Sequence, residues 1–178
     1  MASCTSYTLS GLQAQCKDSI GGVAKVWLST VDDASVSITD NIADVSANSF
    51  KVYNLRKGSA SMTTNLTVND NAGDYWTTEV SMDFLKMETS KRLEMMAITM
   101  GETVAVVKDN NSKYWLVGAN NAAGDLVPLT ASAGAGETGT AKSDSNHYNV
   151  TLSVDTAELP YEITNATTIA ALEDITIA

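Results

Sequence analysis

The chain has 178 residues, 44% of them apolar, with two prolines and a formal charge of −10. This length and composition indicate one folded domain, and they exclude a disordered chain, a collagen-like chain and a disulfide scaffold. The acidic excess argues against binding nucleic acid through its phosphates, which requires Lys and Arg, and the single histidine excludes a multi-histidine metal site.

The N-terminal region predicts strands and no targeting signal. Met1–Ser6 lack the basic and apolar regions of a signal peptide. No run of 18 or more apolar residues occurs, so we expect no membrane-spanning helix. Cys4 and Cys16 lack the spacing of a zinc site and are expected to be thiols. Residues 22–31, 35–39 and 50–55 are strand candidates.

The clearest pattern is a long antiparallel hairpin over residues 59–84. Apolar and polar residues alternate in two runs, which is typical of half-buried strands, and an Asn- and Gly-rich turn joins them. The apolar face is expected to pack on the core: Ala60, Met62, Thr64, Leu66, Val68, Trp76, Thr78, Val80, Met82 and Phe84. The other face is expected to meet water: Ser61, Thr63, Asn65, Thr67, Tyr75, Thr77, Glu79, Ser81 and Asp83.

The period then changes to that of a helix, predicted from Leu85 or Thr89 to Met100. Four residues at spacings i, i+3, i+4 and i+7 form an apolar stripe: Leu93, Met96, Ala97 and Met100. Gly101 is a natural end to the helix. We expect the methionines of this region, Met87, Met95, Met96 and Met100, to fill the core.

Strands return after Gly101. Residues 102–108 and 113–118 predict a second hairpin around a turn at 109–112, and residues 147–154 alternate like a half-buried strand. Residues 119–139 are rich in Ala, Gly, Asn and Thr and predict a loop, with at most a short strand at 126–129. The whole predicts a mainly β fold: a β-sandwich or open barrel of antiparallel strands with one packed α-helix and a long β-hairpin.

The end of the chain is acidic. After Lys142 there are six acidic residues and no Lys or Arg. We therefore predict a domain over residues 1–155 and an acidic C-terminal segment over 156–178. The segment is either a solvated tail or an arm that docks on a neighbouring subunit. Five residues would give the arm something to bury: Ile163, Ile169, Leu172, Ile175 and Ile177.

The sequence shows no constellation typical of catalysis or of cofactor or metal binding. His147 is next to Asp144 and Ser145 without an evident nucleophile, and Glu79 and Asp83 are two steps along one strand face. The 109–112 turn lacks an EF-hand pattern, and the Gly-rich run at 131–139 lacks a phosphate-binding Lys. We expect no enzyme and no cofactor. An interaction protein remains, and the small, acidic hairpin face would suit the wall of a conduit for DNA if copies joined edge to edge.

The order of these elements resembles that of the tail tube proteins of tailed bacteriophages. The resemblance covers residues 59–100, 104–118 and 139–152, together with the segment 16–28. It rests on a long hairpin, an amphipathic helix, an apolar strand, the hairpin Asp109–Gly118, a small-residue loop, and a strand that alternates around Tyr148, Val150 and Leu152.

The resemblance implies a hexameric ring that stacks into a tube in the phage virion, assembled in the cytoplasm of the host bacterium. It implies that the hairpin residues Ser61, Thr63, Asn65, Thr67, Thr77, Glu79, Ser81 and Asp83 line the lumen. The turn residues Asn69, Asp70, Asn71, Gly73 and Asp74, or the region before Phe50, would contact the next ring. Its partners would be further copies of itself and the tape-measure, terminator and baseplate or tip proteins. DNA would pass without sequence-specific binding, and no membrane would be involved.

Two alternatives remain open. A capsid- or surface-decorating β-sandwich module could bind carbohydrate on Trp76 or Trp115 as a stacking platform, although the alternation assigns Trp76 to the core face. A type VI secretion tube protein is similar to a phage tube protein in fold and stacking. The predicted hairpin register can be tested directly. If Glu79 or Asp83 packs against the helix, the predicted register is wrong by one residue.

Overall fold

The computed structural model describes residues 11–12, 19–56, 58–120 and 124–177, so Cys4 and Cys16 lie outside it. Within these residues the protein has eleven strands and two α-helices, which confirms the mainly β prediction. The strands are β1 Val23–Thr30, β2 Val36–Thr39, β3 Ile42–Val45, β4 Lys51–Tyr53, β5 Ala60–Thr67, β6 Tyr75–Leu85, β7 Thr103–Asp109, β8 Tyr114–Val117, β9 Thr130–Glu137, β10 His147–Thr156 and β11 Tyr161–Ile163. The helices are α1 Thr89–Met100 and α2 Ala166–Glu173.

The strands form two sheets that pack face to face. The large sheet is curled and has the order β2-β3-β11-β8-β7-β1-β4, and the small sheet has the order β5-β6-β10-β9. One core lies between the sheets and includes Val26, Leu28, Val80, Met82 and Leu152. A second core lies on the far face of the large sheet and includes Trp27, Phe50, Leu116, Ile163 and Leu172. The large sheet is therefore covered on both faces, and the small sheet on one.

The hairpin is present in the predicted register. Ser61 lies opposite Ser81, Thr63 opposite Glu79 and Asn65 opposite Thr77. Val80 and Met82 pack in the core between the sheets together with residues of α1. Because side chains alternate along a strand, Glu79 and Asp83 point to the other face, away from the helix. The predicted register of the hairpin is therefore confirmed.

Helix α1 has the predicted bounds, but its buried side is not the predicted one. Met95 and Ile98 are buried, whereas Leu93, Met96 and Met100 are 55%, 45% and 83% exposed. The helix closes the flank of the sandwich between the β9 edge and β4, and the Tyr53 hydroxyl donates to Glu94 Oε1 at 2.5 Å. Only one narrow side of the helix therefore faces protein. In the described part of the chain, the stripe predicted to be core is therefore solvent-exposed.

The predicted loop over residues 119–139 is also wrong, because it contains β9. This strand is an edge strand that pairs antiparallel with β10. Its Ala and Gly residues have low strand propensity, and pairing with the central strand β10 overrides that preference. A Cβ at Gly136 would lie 3.0 Å from the Tyr148 ring, so even alanine there would require the ring to move by a few tenths of an ångström.

The acidic C-terminal segment is not a solvated tail. Strand β11 lies inside the large sheet, between β3 and β8, and α2 packs on the far face of that sheet. Leu172 is fully buried, and Trp27 Nε1 donates to the Leu172 carbonyl at 3.0 Å. Ile163 and Leu172, proposed as contacts to a neighbour, are buried in this chain's own core. The fold therefore continues past the predicted boundary at residue 156.

A charged cluster holds the end of α2 on the sheet. The Glu173 carboxylate accepts hydrogen bonds from Lys25 Nζ, from Lys108 Nζ at 2.6 Å and from the Tyr114 hydroxyl at 2.6 Å. Burial raises the pKa of Glu173, but the hydrogen bonds from Lys108, Lys25 and Tyr114 outweigh it and lower the pKa to about 2. The anion is therefore the form that stabilises the fold.

We expect Glu173→Gln to lower the free energy of unfolding at pH 7 by about 1.5–3 kcal/mol, the usual range for a hydrogen bond to a charged group. The native pKa lies below the ordinary value of 4.5. The stabilisation is therefore complete above pH 4.5 and is lost as the pH falls toward about 2. Urea denaturation of both proteins at pH 7, 4 and 2.5 measures the difference. A difference that stays constant over this range would contradict the prediction.

Candidate assembly surface

The exposed side of the small sheet is a continuous polar surface, here called the polar face. Strand pairing places in it all eight hairpin residues predicted to line a lumen. It also adds residues from two further strands, which the sequence did not assign to this sheet: Thr130, Ala133, Ala135, Glu137, His147, Asn149, Thr151, Ser153 and Asp155. The alternation in β10 was visible in the sequence, but its pairing with β6 was not. Side chains in the middle of the face are small.

The polar face is acidic and has no Lys or Arg. Strands β5, β6, β9 and β10 contain no Lys or Arg, so all eleven basic residues of the chain lie elsewhere. Four acidic residues lie on the face: Glu79, Asp83, Glu137 and Asp155. A surface with one sign of charge repels a polyanion that comes close to it.

Hydrogen bonds between neighbouring strands tie the side chains of the polar face to one another. Thr77 Oγ1 donates to Asp155 Oδ1 at 2.6 Å, and Asn149 Nδ2 donates to Asp83 Oδ1 at 2.5 Å. Thr151 Oγ1 also donates to Ser81 Oγ, at 3.3 Å. These bonds link side chains of neighbouring strands, so the side chains lie along the sheet and the surface is flat.

Both edges of the small sheet are open in the described part of the chain. Strands β5 and β9 are its terminal strands; half of the residues of β5 and all but one of those of β9 are exposed. Neither contains Pro or Lys, the residues that commonly protect an edge from pairing with another chain. Every neighbouring pair in the sheet is antiparallel, so β5 and β9 run in opposite directions.

The predicted ring-contact residues lie at one end of this sheet. The backbone N–H of Asn69 donates to Asp74 Oδ1 at 3.0 Å, and Asn69 Nδ2 donates to the Gly73 carbonyl at 3.2 Å. Asp70 and Asn71 are exposed at the tip of the same turn. The region before Phe50 lies elsewhere, as a 3-10 turn over Ala47–Ser49 that contacts α2.

A cleft of about 590 Å³ opens between the two sheets near this turn. Trp76 and Trp115 line it from opposite sheets, and both are half-buried. Asn41, residues 157–160, Tyr161 and Glu162 complete the lining. Trp76 lies on the core face of the hairpin as predicted, but the large sheet leaves part of its ring uncovered.

The catalytic candidates do not form a site. His147 Nδ1 lies 2.9 Å from Ser145 Oγ, and Asp144 accepts hydrogen bonds from the backbone N–H groups of Thr140 and Ala141. Asp144 is therefore engaged in its own turn. Across the described ranges, no three His, Cys, Asp or Glu side chains are grouped as metal ligands. In the same residues, neither helix is long and apolar enough to span a bilayer.

Comparison with protein-family models, with curated protein sequences and with solved structures found no match to this chain.

Proposed function

We propose that this protein is a structural subunit of a tube, of the kind that forms the tail tube of a tailed bacteriophage. Copies join into rings, six to a ring by the resemblance, and the rings stack into a conduit for DNA. The observation that supports the proposal is the small sheet: an acidic face free of Lys and Arg, with an open edge on each side.

The directions of the edge strands favour closure into a ring. A rotation about an axis along the strands leaves strand direction unchanged, so β9 of one copy meets β5 of the next as an antiparallel neighbour. Such a head-to-tail contact generates a ring when the rotation closes, and closure leaves no free edge in the small sheets. The backbone groups of both edges would then be hydrogen-bonded.

The dimensions agree with a conduit. Six copies of a four-stranded sheet give a barrel of 24 strands. With strands about 4.8 Å apart, its circumference is about 115 Å and its diameter about 37 Å, or more when the strands tilt. Barrels of 16–18 strands already enclose an aqueous channel, so this one would leave room for a DNA duplex.

The charge of the polar face suits passage of DNA. Affinity for DNA backbones comes from Lys and Arg, which this face lacks. Six copies carry six times −10, or −60 formal charges. A wall of this kind would let DNA slide without sequence-specific contacts, while tape-measure, terminator and baseplate or tip proteins would meet the two ends of the tube.

Negative-stain electron microscopy over a concentration series, with mass by light scattering on the same samples, tests the proposal. We expect rings or tubes with sixfold symmetry and an open lumen. A matched control is Asn71→Lys at the turn tip, which leaves both sheet edges intact and should still form rings. A protein that stays monomeric at every concentration tested, both alone and together with the tip or baseplate proteins that would initiate a tube, would overturn the proposal.

The cleft between Trp76 and Trp115 supports a second candidate, a decorating module that binds carbohydrate. Aromatic rings beside amide and carboxylate groups, here Asn41, Glu158 and Glu162, are groups that can stack on and hydrogen-bond to a sugar. A glycan-array screen of the monomer tests it, with Trp115→Ala expected to abolish any signal. No binding by the wild type would remove this candidate.

A type VI secretion tube would assemble like the first candidate. Neighbouring genes for a phage tail or for a secretion system would distinguish these two functions.

A further inference from the structure

Helix α1 carries an apolar surface that nothing in the described subunit covers. Leu93, Met96, Ala97 and Met100 follow one another at helical spacing, on the side of α1 away from the buried Met95 and Ile98; we call them the outer stripe. The three large side chains are 55%, 45% and 83% exposed. A continuous apolar stripe on an otherwise acidic protein is typical of a surface that is buried in an assembly.

A second uncovered apolar surface lies on the opposite edge of the small sheet. On the core side of β5, Leu66 is 47% exposed, Met62 is half-buried, and Val68 just beyond the strand is 67% exposed. The same side of the inner strands β6 and β10 is covered, with Val80, Met82 and Leu152 fully buried. Among the described residues, the core side of the sheet is therefore incompletely covered over its β5 edge.

The outer stripe is positioned at the other edge. Helix α1 contacts β9 and β10 on the core side of the small sheet. Near its start, Met87 lies close to Gly136 of β9, and after its end Thr103 bridges to Leu129, the residue before β9. The helix thus runs along β9. One edge carries an excess of apolar side chains, and the other edge, on the same side of the sheet, lacks a cover.

We infer that the outer stripe of α1 covers the exposed core side of β5 in the next copy of this chain. The inference rests on the proposed function, because joining β9 to β5 of a neighbour continues the small sheet and brings both surfaces to the same side of the joint. The occupant is a second copy, since the uncovered counterpart of the stripe is on this same chain. Each subunit completes the core of its neighbour.

This packing would make the joint directional. Strand pairing alone uses backbone groups that are the same at every edge, and it specifies its partner weakly. A helix that fits only over the open side of β5 excludes pairing of β5 with β5 or of β9 with β9. The contact is therefore heterologous, as ring closure requires.

Disulfide cross-linking tests the contact. In a Cys4→Ser/Cys16→Ser background, we would combine Met100→Cys with Leu66→Cys, and separately Met96→Cys with Met62→Cys to allow for a shift along the strands. Mild oxidation of assembled protein should give a ladder of disulfide-linked species up to the full ring. Each single-cysteine variant should give none. The matched control, Met96→Cys with Ile177→Cys, places its second thiol beyond α2 on the far face and should also give none.

The outcomes separate the inference from the proposed function. Rings by light scattering without a ladder from either pair would overturn the inference and leave the tube proposal standing. A covalent dimer from Met96→Cys alone would mean that two α1 helices pack together, which also overturns it. A protein with no assembled state overturns the tube proposal, and the inference falls with it.

Discussion

A chain that ends after Ala157 should not fold. The truncation removes β11 from the interior of the large sheet, so that the strand pairing between β3 and β8 through β11 is lost. It also removes α2 and exposes Trp27 and Leu116 on the far face. Each large side chain lost from a core costs about 2–5 kcal/mol. Loss of Tyr161, Ile163 and Leu172 together approaches or exceeds a total stability of about 5–15 kcal/mol.

Far-UV circular dichroism and thermal denaturation of the purified truncated chain measure this loss. The matched control ends after Thr176, which keeps β11 and α2, and it should unfold cooperatively like the full chain. Leu172→Ala is the milder variant, with an expected cost of about 2–5 kcal/mol. A cooperative transition in the chain that ends at residue 157 would mean that the C-terminal segment is an appended arm.

The C-terminal segment shows why a charge pattern alone could not predict whether residues 156–178 belong to the fold. Its lack of Lys and Arg suggested a solvated tail, but the basic partners of Glu173 are Lys25 and Lys108, far away in the sequence. Strand β11 has only three residues, and a strand that short carries no readable period. A central position in a sheet is set by its neighbours β3 and β8, which a local pattern does not reveal.

The small sheet shows the opposite case. Alternation over the hairpin predicted correctly which side of the sheet each residue of β5 and β6 lies on, because one buried face imposes a period of two. Burial on the core side of β5 was overestimated, since Leu66 and Val68 were assigned to the core and are 47% and 67% exposed. The same rule could not reveal β9, because its Ala and Gly residues give no difference in polarity between the two faces. Two of the four strands of the candidate site were therefore predictable as a hairpin, and the polar side of β10 as an alternating strand.

The bounds of helix α1 were predicted correctly, but its buried side was not. Its end at Met100 and its start at Thr89 were predictable, but its stripe was assigned to the core of the subunit. Apolar periodicity indicates that a helix side is buried, and it does not state whether the cover comes from the same chain. Met95 and Ile98 are buried in the core between the sheets. The outer stripe is exposed in the described chain, and under our inference a neighbouring copy would cover it.

Under the proposed function, reversing the charge of the polar face should turn tubes that do not bind DNA into tubes that do. Glu79→Lys combined with Asp83→Lys changes each subunit by four charges and a six-membered ring by 24. Both side chains lie on the polar face, where a lysine side chain can extend into solvent. Asp83→Lys removes the hydrogen bond from Asn149, but that bond lies within one chain and away from both sheet edges, so assembly should persist. Lysines in a closed lumen would neutralise phosphates, and non-specific affinities of that kind have dissociation constants of about 10⁻⁴ to 10⁻⁶ M.

Co-sedimentation of tubes with short duplex DNA at increasing salt, followed by nuclease digestion, measures the effect. Variant tubes should retain DNA at low salt, release it at high salt, and protect it from the nuclease, whereas wild-type tubes should retain none. The control pair Asp32→Lys with Glu102→Lys makes the same charge change at exposed positions outside the small sheet. DNA bound there would be digested. DNA on the Glu79 and Asp83 variant that is equally open to digestion would mean that the polar face points outward, because only a lumen shields its contents on all sides.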